Sequence, residues 1–93
     1  MLVGTLRVEF LVHGACSLKE KRFIIQSIKD RMRNHFNCSV AEVEYQDKWQ
    51  RGMLGLAMVS NNRRFLDSAM QKMLNKMHDD HRIEVIDQLI EVL

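Results

Sequence analysis

Proline is absent from this chain, glycine occurs four times, cysteine twice, and tryptophan and tyrosine once each. Each scarcity excludes something. With no proline and so little glycine, long irregular loops are not expected, and most residues should sit in regular elements. Two cysteines, Cys16 and Cys38, are too few for the disulfide framework of a small secreted domain, and no Cys-x-x-Cys spacing is present. No apolar run approaches the roughly 20 residues that a membrane-spanning helix needs. The first residues carry no charged stretch followed by an apolar one and read as a strand, not as a secretion signal. The expected setting is the reducing cytoplasm.

What is present is enough for one core. Apolar residues make up 46% of the 93 positions and charged residues 28%, which argues against disorder. That length suits a single domain over residues 1–93 and is too short for two. The net charge of +2 is unevenly spread. Between Leu18 and Phe36 stand six bases (Lys19, Lys21, Arg22, Lys29, Arg31, Arg33) and two acids (Glu20, Asp30), against eight bases and ten acids elsewhere. On this count one helix carries the positive excess.

Periodicity supplies the elements. From Leu2 to Val12, Leu6, Val8, Phe10 and Val12 alternate with Thr5, Arg7, Glu9 and Leu11, the pattern of a half-buried strand. Ser17 and Glu20 have capping-box spacing and open a helix that should end near His35. Its apolar stripe is Leu18, Ile24, Ile25, Ile28, Met32 and Phe36. A second strand is expected from Ser39 to Gln46 and a third from Met53 to Ser60, joined by a polar hairpin connection over Asp47 to Gly52. Ser60, Asn61 and Asn62 offer N-caps for a second helix running to about Asp79, with Leu66, Ala69, Met70, Met73 and Met77 as its stripe. The last strand covers Ile83 to Leu93, and its blurred alternation at Val85 and Ile86 predicts a bulge. The order βαββαβ predicts a ferredoxin-like α+β fold: a four-stranded antiparallel sheet, spatial order 4-1-3-2, with both helices on one face. That fold hosts many unrelated activities and settles no function.

Each candidate site has a plainer reading beside it. Cys16 lies at a helix start three residues after His13, but no third residue visibly orients the His, so an ordinary loop cysteine is the simpler reading. Cys38 reads as a small strand residue. His78, Asp79, Asp80 and His81 crowd four potential ligands into one loop. With no second cluster and no cysteine beside them, a solvated helix exit is the better reading, and no metal or cofactor is expected.

The basic helix is more informative. With Arg22 taken as the origin of the helical wheel, Arg33 falls at about 20°, Lys29 at about −20° and Lys19 at about 60°. Four cations thus form one ridge, flanked by Phe23 at about 100°. Lys21 points into the apolar stripe instead, so it must snorkel or meet a carboxylate. A cationic ridge suits a phosphate backbone, whereas most charge runs are solvated faces. The sheet offers no stacking platform of the RNA-recognition type, because Met53 to Met58 contains no aromatic residue. Its outer face should show Gly55, Ala57, Val59, Val40, Leu11 and Thr5 among Arg7, Glu9, Glu42 and Glu44, a mix apolar enough at its centre to pack against a second copy or another protein. In the hairpin connection, Trp49 between Lys48 and Arg51 is a further contact candidate.

The run Ser17-Leu18-Lys19-Glu20-Lys21-Arg22, with Phe36-Asn37-Cys38-Ser39-Val40-Ala41-Glu42, Trp49 and Leu54-Gly55, resembles the signature of the YlxP-like family, small bacterial proteins of unknown function. The likeness covers essentially the whole chain. It implies a ferredoxin-like fold and a place near translation and ribosome-maturation genes, and it brings no established catalytic residue to carry over. The combined expectation is a non-enzymatic protein contacting RNA or a ribosomal particle through Lys19, Lys21, Arg22, Lys29 and Arg33. The alternative is an interaction module that forms a homodimer through the open sheet face. An enzyme or small-ligand sensor built around His13 to Lys21 ranks last.

Overall fold

Alternation along the first strand decides which side of the sheet is covered. In the computed structural model, which describes residues 1–93, Leu6, Val8, Phe10 and Val12 are all buried on one side of β1 (Leu2–Val12). The chain continues through α1 (Leu18–His35), β2 (Ser39–Glu44), β3 (Arg51–Ser60), α2 (Arg63–His78) and β4 (Ile83–Val92). All strand pairs are antiparallel, in the order β2-β3-β1-β4. This is the ferredoxin-like arrangement expected from the element order.

Leu54, Leu56 and Met58 of β3 face the same side as the buried row of β1 and pair with it in register. The helices complete that core with Ile24, Ile25, Ile28 and Met32 from α1 and Leu66, Met70, Met73, Leu74 and Met77 from α2. α2 lies over β1, β3 and β4, and α1 lies towards β2. The apolar stripes read from the sequence are therefore the ones that meet.

Both helix starts are capped as their side chains allow. Ser17 Oγ accepts from the Glu20 backbone N–H at 3.2 Å. The reciprocal half of the box differs from the expectation, because Glu20 takes the Ser17 hydroxyl (3.4 Å) instead of reaching the Ser17 amide. Asn62 caps α2 through its side-chain oxygen and the Phe65 N–H. The bulge in the last strand is real: Glu9 pairs with Asp87 and Phe10 with Val85, leaving Ile86 as the extra residue.

The hairpin between β2 and β3 departs from the sequence reading at both ends. β2 stops at Glu44 because a second irregularity falls between Glu42 and Glu44, and Tyr45 then turns with φ of 63°. A non-glycine residue in this left-handed region is strained by about 1 kcal/mol or more. β3 begins two residues earlier than expected, at Arg51. Gly52 is consequently a core-facing strand residue opposite Phe10, and a Cβ there would lie 2.7 Å from the Phe10 ring. This glycine marks a close approach inside a strand, not a loop.

Candidate nucleic-acid interface

The cations of α1 divide by partner. Lys21 is buried and points inward, as its place on the wheel demands. Its Nζ donates to the Tyr45 carbonyl at 2.5 Å and sits 2.8 Å from Glu42 Oε2. The Glu42 oxygen receives no aligned hydrogen bond, so the contact is one of charge. Lys21 therefore leaves the set of nucleic-acid contacts: a side chain only 1% exposed reaches no external phosphate. Arg31, on the other flank, stands 3.6 Å from Asp80.

Along the ridge the picture is different. Lys19, Arg22 and Lys29 have no carboxylate within ion-pair distance. Lys19 and Arg22 are exposed and Lys29 is half-buried. Arg33 is partly engaged, donating to the Val40 carbonyl at 3.2 Å with Asp30 at 3.8 Å, yet it keeps 46% of its side chain exposed. Phe23, beside Arg22, is 73% exposed. The ridge is thus a row of three free cations and one half-tied cation with an aromatic ring at its shoulder.

The hairpin candidates are not brought into this row as a group. Arg51 is held by Glu9 through Nε at 2.7 Å and through Nη2, and its guanidinium stacks on Tyr45 at 4.3 Å. Arg51 is therefore committed within the protein. Lys48 is exposed and unpaired, and Trp49 is exposed, with 38% of its surface open.

Two further candidates resolve into local structure. The inward member of the loop after α2 is Asp80, whose carboxylate takes Arg82 Nε at 3.0 Å, Nη2 at 2.8 Å and the Arg82 backbone N–H at 3.0 Å. These bonds hold the Asp80 carboxyl below its ordinary range. No three His, Cys, Asp or Glu side chains converge in a metal-holding group. His13 meets Glu84 across the sheet at 2.9 Å, a partner 71 residues away that no local pattern signals, and no hydrogen bond joins it to Cys16. Burial pushes the Cys38 thiol up against the opposing pull of Arg33, which disfavours the reactive thiolate.

α2 carries Arg63, Arg64, Lys72 and Lys76 against Asp67 alone, so the positive excess is not confined to one helix. The two helices together hold ten bases and three acids, and the strands and loops hold four bases and nine acids. The helix layer is basic and the sheet layer acidic. The outer sheet face differs from the expectation along β2. Val40 is buried on the helix side and Glu42 turns to Lys21, while Ala41 and Val43 line the open side. β2 pairs regularly up to Glu42, so alternation puts Val40 and Glu42 on the side of Leu56 and Leu54, and the irregularity turns only Glu44 back to the open side beside Met53.

A family model described as "Protein of unknown function (DUF503)" matches residues 3–90. The chain belongs to this family. It is also 40% identical over 73 residues to "Uncharacterized protein YlxP" of Bacillus subtilis (strain 168), covering 78% of this chain and 79% of that protein. The likeness read from the helix-start motif thus holds over most of the length, and neither description names an activity. No helix is long and apolar enough to cross a membrane.

Proposed function

We propose that this is a cytoplasmic, non-enzymatic binding protein that contacts RNA, free or within a ribonucleoprotein, through the outer ridge of α1. One observation carries the reading. Every α1 cation off the ridge is committed to a carboxylate, whereas Lys19, Arg22 and Lys29 on it are left without one. Free cations one helical turn or two apart match the requirement of a phosphate backbone, which is recognised by charge and needs no buried pocket. Phe23 offers a ring face to an unstacked base next to Arg22. The basic character of the whole helix layer adds a longer-range field of the same sign.

The test is binding of a labelled single-stranded RNA across a salt series. With three or four phosphates engaged, the log–log slope should be about −2 to −3, since each contributes roughly 0.7. Changing Arg22, Lys29 and Arg33 together to Glu should abolish binding while the melting transition stays in place. A flat salt response, or unaltered binding by the triple variant, rejects the proposal.

A further inference from the structure

We infer that the open face of the sheet is a homodimer interface, in which two copies pack sheet to sheet about a two-fold axis lying along the strands between β1 and β3. The inference is independent of RNA binding, because the helices occupy the opposite side of the sheet.

The strand register sets the argument. One row across the open face reads Ala41, Gly55, Arg7 and Leu89 from β2 to β4. The next reads Ser39, Ala57, Thr5 and Glu91. In both rows the β2–β3 half is small, while Arg7 and Leu89 in the first row and Glu91 in the second are large. The small half forms the floor of a shallow hollow of about 550 Å³. A rotation about the proposed axis exchanges the halves, so each large side chain falls on a small one. Leu89 covers the partner's Ala41, and Arg7 lies over the partner's Gly55 and the Val43 side chain that borders it. A self-complementary surface of this kind is what an isologous interface requires.

Charge follows the same symmetry. Arg7 has no ion-pair partner within the protomer, and neither has Glu44 or Asp87. The rotation brings Glu44 of one copy over Asp87 of the other at the edge of the face. Arg7 is the diagonal neighbour of both and spans the gap between them. Without Arg7 these two carboxylates would repel; with it they form a bridged set that only the pair of copies completes.

The exposed apolar surface agrees. Val43, Val59 and Leu89 are exposed by 43%, 61% and 42%, and all three lie on this face. Four strands spaced about 4.8 Å apart, each contributing about eight residues, present roughly 500 Å² per copy. Two copies then bury about 1,000 Å², the lower bound for a specific interface, so a reversible dimer is expected and not a permanent one.

Sedimentation velocity of the full chain from about 5 to 500 μM tests this. A reversible monomer–dimer equilibrium is expected. Arg7→Glu should weaken it at least tenfold, as should Glu44→Arg, and the double variant Arg7→Glu/Glu44→Arg should return to within about threefold of the parent. Circular dichroism melts establish that each variant is folded. The Arg22, Lys29 and Arg33 triple Glu variant should dimerise like the parent, so failure of RNA binding and failure of dimerisation are read separately. A parent that stays monomeric throughout the range overturns the inference, as does a folded Arg7→Glu variant with an unchanged equilibrium. If the parent is monomeric and retains a different host protein that Arg7→Glu loses, the face serves that protein and the second copy is rejected.

Discussion

The two long sides of α1 carry the same kind of residue and use it in opposite ways. On the inner and loop-facing side, Lys21 is sealed under the hairpin with Glu42 and the Tyr45 carbonyl, and Arg31 stands beside Asp80. On the ridge, Lys19, Arg22 and Lys29 meet no carboxylate. The difference teaches that the charge of a helix is not one quantity. A buried cation stabilises the fold through a partner whose own desolvation it offsets. An exposed one contributes little to stability and keeps its field for whatever approaches. Substitutions on the inner side should therefore be read in melting curves, and substitutions on the ridge in binding curves.

The largest effect is expected at Asp80, which anchors the loop beneath α1. Asp80→Ala removes three hydrogen bonds and leaves Arg82 partly buried without its carboxylate, costing about 3 kcal/mol in denaturant titration. The same site imposes a pH dependence. The folded carboxyl titrates below its ordinary value of 3.8, so the unfolded chain takes up the proton first. Asp80 stabilisation is then complete above that value and is lost as pH falls through the folded pKa. Asp80→Asn should remove this part of the acid slope while leaving stability between neutral and mildly alkaline pH flat.

Lys21→Met comes next, at about 2–3 kcal/mol, because Glu42 keeps a largely covered charge with no counter-ion. Replacing both members, Lys21→Met with Glu42→Leu, should recover most of that loss; if the double variant is as unstable as the single, the hydrogen bond to Tyr45 and not the ion pair is what matters. Gly52→Ala should cost about 2 kcal/mol, since the added methyl meets the fully buried Phe10 ring. Thermal melts measure it, and a neutral outcome would mean that the hairpin shifts outward.

The smallest stability effect belongs to the ridge. Arg22→Glu and Lys29→Glu should each change folding by no more than about 0.5 kcal/mol. A larger loss for either, seen in the same melts, would erase the contrast between the two sides.

Local pattern reached a good deal of this protein. Period two placed β1 and its buried row, period 3.6 placed both helices, and Ser17 and the run Ser60-Asn61-Asn62 marked where they start, with Asn62 the cap in the fold. The blurred repeat at Ile86 did announce a bulge. Where local pattern failed, a distant contact had intervened. Alternation alone does not say which row of β2 faces the helices; pairing with β3 decides it, setting Val40 opposite Leu56 and Glu42 opposite Leu54 on the helix side. Gly52 looked like a loop glycine until Phe10 was placed beneath it.

The amino-acid order by itself determined the βαββαβ succession, the faces of its helices and the placement of six bases on α1, because periodicity and charge are properties of neighbours along the chain. Only the tertiary structure decided which of those bases are free. Glu42 lies 21 positions beyond Lys21 and Asp80 lies 49 beyond Arg31, and folding alone brings each within reach. A cation's role depends on what stands within about 4 Å of it, and that distance is not written in sequence separation.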